Sequence, residues 1–206
     1  MKKHFSFDSS LLSAYPTNGL VAGVDEVGRG ALFGCVVAAT VVLPISDIPI
    51  LIDMGVKDSK KLSPLKRQQL VEPIKRAVLA WSINTASVSE IDNLNILQAS
   101  LLAMKRSILG LNIYPNIDIC LVDGKIPVPD LPISQQTVIQ GDLRSPVIAA
   151  ASILAKVWRD QLIIDLADKY PEYNLAANKG YPTIQHRQAI KQYGLSLEHR
   201  RSFKSC

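Results

Sequence analysis

The chain has 206 residues, of which 48% are hydrophobic and 20% charged, with 23 Lys and Arg against 18 Asp and Glu for a net charge of +5. That balance excludes a disordered chain and fits one globular domain. Cys35, Cys120 and Cys206 are scattered and lack paired spacing, which excludes a disulfide framework or a zinc ribbon and suits a reducing, cytoplasmic setting.

No export or membrane segment is expected. Asp8, Ser9 and Ser10 interrupt any apolar stretch after Met1-Lys2-Lys3. The longest uncharged run, 30–46, has 17 residues and contains Gly34 and Pro44. It is too short for a spanning helix and reads as a buried strand.

In chain order, Leu20–Glu26 and Phe33–Leu43 read as strands separated by Gly28-Arg29-Gly30. Ser63-Pro64 opens a helix, Ser as cap and Pro in the first turn, and Pro73 should bend or interrupt it. Trp81–Val88 reads as a strand, and Ser89 as the cap of a helix running to Ile108. Ile117–Val122 is a short buried strand, Pro127–Pro132 a loop and Thr137–Ile139 another short strand. Pro146–Ala167 is the longest helix, and its Ala149-Ala150-Ala151 permits close packing on a sheet. Pro182–Tyr193 is a final helix. Alternating strands and helices give an α/β domain with a mixed central sheet flanked by helices.

The charge is uneven. Residues 1–178 hold 17 basic and 17 acidic side chains. Lys179, Arg187, Lys191, Arg200, Arg201 and Lys204 face Glu198 alone, so residues 179–206 carry the whole excess. The chain is read as a body, 1–178, and a small basic helical C-terminal segment, 179–206, packed on it. Such a segment is either a nucleic-acid footprint or a solvated tail.

Carboxylates recur at strand ends. Asp25-Glu26 closes Val21-Ala22-Gly23-Val24, Asp123 closes Ile119-Cys120-Leu121-Val122, and Asp142 follows the strand ending near Ile139. Singly, each fits a turn or cap. Brought together they would repel unless a cation neutralised them, and oxygen ligands without His or Cys favour Mg²⁺ or Mn²⁺. Two such ions about 4 Å apart are the requirement of two-metal phosphoryl transfer. Gly28-Arg29-Gly30 matches neither a dinucleotide fingerprint nor a Walker loop. It is either an ordinary hairpin turn or a place where backbone meets a ligand.

Gly23-Val24-Asp25-Glu26-Val27-Gly28-Arg29-Gly30 resembles the opening motif of ribonuclease HII, the prokaryotic type 2 ribonuclease H. The resemblance continues through Asp58-Ser59-Lys60-Lys61-Leu62-Ser63, Leu121-Val122-Asp123-Gly124 and Gly141-Asp142. It extends over 149–160, Lys179-Gly180-Tyr181-Pro182-Thr183 and His199-Arg200-Arg201-Ser202-Phe203. It implies a ribonuclease H-like fold and a monomeric endonuclease that cleaves RNA in RNA–DNA hybrids and cuts 5′ to ribonucleotides embedded in duplex DNA. The products would carry 3′-hydroxyl and 5′-phosphate ends.

The family's four catalytic, metal-holding carboxylates fall on Asp25, Glu26, Asp123 and Asp142, with two Mg²⁺ or Mn²⁺ ions implied. Its motif that reads the ribose 2′-OH falls on Gly28, Arg29 and Gly30. Its sugar-packing Tyr falls on Tyr181, and its phosphate-contacting loop on Ser59, Lys60 and Lys61. Ala31 and Cys35 stand where the family often has Pro, Gln140 where Lys is usual, and Asn178 where His is common. None of these departures removes a carboxylate.

Of the remaining residues, His186 is expected at a surface or interface, and His199 to touch phosphate or pack locally. Lys156 and Arg159 are expected to face nucleic acid or solvent, and Trp81 and Trp158 to be packing residues. A DNA-directed two-metal nuclease leaves Gly28-Arg29-Gly30 unexplained. A non-catalytic binding module leaves the carboxylates without purpose.

Overall fold

The structure is a computed structural model that describes residue 8 and residues 10–56, 62–114 and 116–204. Five strands form one sheet in the order β3-β2-β1-β4-β5: β1 is Leu20–Val27, β2 Val36–Pro44, β3 Ala80–Ala86, β4 Ile119–Asp123 and β5 Gln135–Val138. β1 pairs antiparallel with β2, and β2 with β3. β4 lies parallel to β1, from Val21↔Ile119 to Val24↔Val122, and β5 lies parallel to β4, ending at Asp123↔Val138. The parallel trio therefore delivers its C-terminal ends to one sheet edge, where Asp25, Glu26 and Asp123 emerge.

The α-helices bounded within the described residues are α1 (Ile48–Asp53), α2 (Pro64–Ala77), α3 (Val88–Leu94), α4 (Ile96–Leu109), α5 (Gly141–Arg144), α6 (Pro146–Asp165), α7 (Leu175–Asn178) and α8 (Ile184–Tyr193). Alternate strand residues face opposite sides. Val21, Val37, Ala39, Val41, Ile119 and Leu121 pack on α6 and α2, whereas Ala22, Val24, Val36, Ala38 and Val122 pack on α4. The sheet centre is thus buried on both faces, as the apolar runs require. α6 sits so close to β1 that a Cβ on Gly23 would lie 2.6 Å from the Val147 carbonyl carbon. Ala149, Ala150 and Ala151 are buried in that contact.

Some boundaries differ from the sequence expectation. The second strand starts at Val36; Phe33 instead makes an isolated bridge to His199. Ser87, not Ser89, is the cap, because it forms a capping box with Glu90. The helix expected to run to Ile108 breaks at Asn95, which turns to φ 74° and caps α4 through Leu97 and Gln98. Pro73 does not interrupt α2. Beyond the sheet, Phe33, Ile163, Tyr173, Leu175 and Ala189 form a small third core that seats the C-terminal segment against α6. Among the described residues no helix is long and apolar enough to cross a membrane.

Candidate active site

Carboxylate oxygens of Asp25, Glu26 and Asp123 all lie within 4.8 Å of one another. Asp25 is buried and Glu26 and Asp123 half-buried. The parallel register places Asp123 beside Asp25, one residue past the last pair of that ladder. Asp142 is not among those three, but it is buried in the first turn of α5 and its charge acts on Asp25. An Asp25 carboxylate oxygen accepts from the Glu26 backbone N–H at 2.7 Å, and Asp123 Oδ1 accepts from the Gly141 N–H at 2.6 Å.

Burial raises the Asp25 pKa well above its ordinary value. Glu26 and Asp123 add to the rise, and a hydrogen bond with Ser152 opposes it. Burial also raises Glu26, against the pull of Arg29, whose Nη1 lies 3.1 Å from Glu26 Oε1. Crowded, desolvated carboxylates of this kind are stabilised by a cation. The donor set is all oxygen, so it fits a hard divalent ion such as Mg²⁺ or Mn²⁺.

Gly28 is buried at φ 94°, while Arg29 and Gly30 are exposed. The connection is not a tight hairpin: β1 ends at Val27 and β2 begins at Val36. Ala31 donates its N–H to the Gly28 carbonyl, a bond that a Pro at this position could not make. A Cβ on Gly28 would meet Arg159 Nε at 2.2 Å, so only glycine lets the guanidinium lie against the loop.

Arg159 is therefore not facing nucleic acid or solvent. It is fully buried and donates to the carbonyls of Cys35, Phe33 and Lys179. Arg200, counted in the basic segment, is also fully buried and donates to Gly34 and Arg29. The two cations hold the loop backbone from beneath, and part of the C-terminal charge excess is spent inside the protein. Long-range partnership of this kind leaves no local sequence signal.

Tyr181 is half-buried, with Lys156 Nζ 5.3 Å and the Arg159 guanidinium carbon 5.5 Å from its ring centroid. Lys156 also pairs with Asp160 at 2.7 Å. The Leu32 N–H donates to the Gly180 carbonyl, which ties the Gly28-Arg29-Gly30 connection to the Tyr181 turn. Asn178 is buried; its amide donates to the Tyr173 carbonyl and accepts from the Gly180 N–H. Gln140 is exposed in the left-handed region just before α5.

Ser59, Lys60 and Lys61 lie outside the described residues. His186 is not a surface group, and of the two roles expected for His199 the structure shows local packing rather than a phosphate contact: the two rings are fully buried against each other. Trp81 and Trp158 are each 40% exposed, and Trp81 packs under Lys75, whose Nζ lies 4.5 Å from its ring centroid.

The sequence profile described as ribonuclease HII matches residues 22–206. Ribonuclease HII of Acaryochloris marina is 56% identical over 186 residues, covering 90% of this chain and 93% of the relative. The enzyme of Trichormus variabilis is 57% identical over 189 residues, covering 92% and 83%. Among solved structures, the ribonuclease H2 of Pyrococcus horikoshii superposes with a TM-score of 0.76 at 28% identity, over 90% of this chain and 94% of that one. Bst-RNase HIII, solved in complex with Mn²⁺, shares the fold with a TM-score of 0.73 at 17% identity, over 96% and 71%. With its mixed sheet, helical layers and acidic strand ends, the chain belongs to the ribonuclease HII family, endoribonucleases of the ribonuclease H fold that act on RNA–DNA hybrids.

Proposed function

We propose that this chain is a metal-dependent endonuclease that hydrolyses the phosphodiester on the 5′ side of a ribonucleotide, in long hybrids and in duplex DNA carrying a single ribonucleotide. It leaves 3′-hydroxyl and 5′-phosphate ends. The observation that carries this reading is the convergence of the Asp25, Glu26 and Asp123 oxygens within 4.8 Å. Asp25, Glu26, Asp123 and Asp142 would hold two Mg²⁺ or Mn²⁺ ions, which supply an acidified water and neutralise charge on the departing 3′-oxygen.

The chain's own residues supply position and selectivity. Gly28, Arg29 and Gly30 offer backbone to the ribose 2′-OH, the group that separates RNA from DNA. Among the described residues, its own chain neighbours aside, no heavy atom lies within 4 Å of a Cβ built on Gly30, which supports an opening to a sugar there. Tyr181 packs on the sugar after the RNA–DNA junction. Ser59, Lys60 and Lys61 contact phosphates, as do exposed Arg187, Lys191, Arg201 and Lys204 on the segment 179–206 laid over the body 1–178. Such contacts position the duplex without reading sequence, so cleavage is nearly sequence-independent and weakens with salt. Action as a monomer is part of this reading, carried over from the family resemblance. The scattered cysteines support a cytoplasmic setting.

The test is cleavage of a DNA duplex with one embedded ribonucleotide, with and without Mg²⁺ or Mn²⁺, with both product ends mapped. A cut 5′ to the ribonucleotide only with metal is expected. Equal cleavage of the all-DNA duplex, or unimpaired cleavage in chelator, would overturn the reading.

A further inference from the structure

The His186–His199 pair sits in the small third core, outside the carboxylate site, and the proposed reaction does not use it. Its heavy-atom partners assign its protons. His186 Nδ1 lies 2.9 Å from the Tyr181 carbonyl oxygen, which only accepts, so Nδ1 carries the hydrogen. The Ser196 backbone N–H, which only donates, points at His199 Nδ1 at 3.0 Å, and Ser196 Oγ lies 2.8 Å from the same atom. That nitrogen must offer its lone pair, so a neutral His199 carries its hydrogen on Nε2. The two Nε2 atoms are 3.2 Å apart. They bond only if His199 donates and His186 accepts. The result is a directed chain from Ser196 through His199 and His186 to Tyr181.

We propose that His186 and His199, as opposite neutral tautomers, are positioning residues that fix the Tyr181 backbone for recognition of the RNA–DNA junction. This rests on the reading of Tyr181 given above. The Tyr181 carbonyl also accepts from Thr183 N–H at 2.8 Å, so two donors pin the peptide just before Pro182. The same pair reaches the other recognition element, since the His199 ring stacks edge-on to Phe33 at 5.1 Å and bridges to it through backbone. Tyr173 closes the cluster at 4.6 Å from His199 and 6.0 Å from His186. Burial pushes both histidine pKa values down, His199 to about 4, which keeps the chain neutral near pH 7. A proton on either acceptor nitrogen would set two donors face to face.

Two measurements test this. In ¹⁵N–¹H correlation spectra of the native protein at neutral pH, His186 should show the Nδ1–H tautomer and His199 the Nε2–H tautomer; the reverse in either ring, or a protonated ring, overturns the proposal. The second is the ratio of kcat/KM on a single embedded ribonucleotide to that on a long hybrid. Taken from one preparation, this ratio cancels any change in the folded fraction. The amide of Asn reaches the Nδ1 position and that of Gln the Nε2 position. His186→Asn should therefore keep the ratio, and His186→Gln lower it about fivefold, the worth of one lost neutral hydrogen bond. Equal ratios for the two variants overturn the proposal. Tyr181→Ala is the separate control: if it leaves the ratio unchanged, the role assigned to Tyr181 has failed, whereas the spectra still report on the histidine chain.

Discussion

Asp123 Oδ1 accepts a hydrogen bond from the Gly141 backbone N–H at 2.6 Å, joining the end of β4 to the first residue of α5. One contact thus aims a carboxylate at the Asp25–Glu26 pair and fixes the turn that carries Asp142. A Cβ on Gly141 would meet Ile148 Cδ1 at 2.5 Å and Asp123 Oδ1 at 3.0 Å. Gly141→Ala should lower turnover by about tenfold, the scale of a disturbed ligand-orienting contact. Steady-state kinetics that match the native enzyme would remove this contact from the argument.

Asp25 is buried, and its neighbours' charges act against its ionised form. Asp25→Asn should cost at least about 100-fold in turnover, more than the loss of a mere orienting group. Without metal the same variant should be more stable by about 1 kcal/mol, or roughly 2–4 °C in Tm, because a buried repulsion is gone. Millimolar Mn²⁺ should raise the Tm of the native protein and do so less for the variant. Thermal melts with and without metal check both statements apart from activity.

Arg159 donates three hydrogen bonds to carbonyls of Cys35, Lys179 and Phe33. A lysine ammonium keeps the charge but cannot reproduce the planar fork. Arg159→Lys should destabilise the fold by roughly 3 kcal/mol, since a bond from a charged donor contributes about 1.5–3 kcal/mol. Urea unfolding reads this as a lower midpoint at unchanged slope. An unchanged midpoint would show that the carbonyls find other donors.

His199 is neutral in the folded protein, with its pKa lowered to about 4 by burial and then by His186. The unfolded chain takes up a proton near pH 6.5. The stability held by the neutral ring is therefore complete above 6.5 and is lost as pH falls through about 4, up to about 3 kcal/mol. His199→Gln cannot titrate, so the native protein should lose stability relative to it between pH 7 and pH 4. Parallel stability curves for the two proteins would disprove the assignment.

Asp8 has the opposite sign. It is buried, one oxygen accepts from Ser145 Oγ at 2.9 Å, and the other has no partner among the described residues. Burial raises its pKa from 3.8 to about 7, opposed by the Ser145 bond. The folded state prefers the protonated acid, so its contribution is full below 3.8 and is lost as pH rises through about 7, up to about 4 kcal/mol. Asp8→Asn should therefore gain on the native protein between pH 5 and pH 8 in urea titrations. A constant difference across that range would place Asp8 in water.

The sequence by itself determined the apolar strands, the carboxylates at their ends and the close-packed Ala149-Ala150-Ala151 face. These are local: alternation, a charge after an apolar run and a row of small side chains are visible within a few residues. The motif blocks carried the family for the same reason, being short and contiguous. Strand order was not local, and only the tertiary structure set β4 parallel beside β1 and so brought Asp123 to Asp25 and Glu26.

The basic C-terminal segment shows the limit most clearly. In the sequence Arg200 reads as part of a basic surface, and His199 as a phosphate contact or a locally packed group, because composition gives a charge but not its partner. In the fold Arg200 is consumed by the carbonyls of Gly34 and Arg29, and His199 by His186. A buried cation or imidazole survives only where donors and acceptors from distant parts of the chain meet it. That meeting is a property of packing, and no window of sequence contains it.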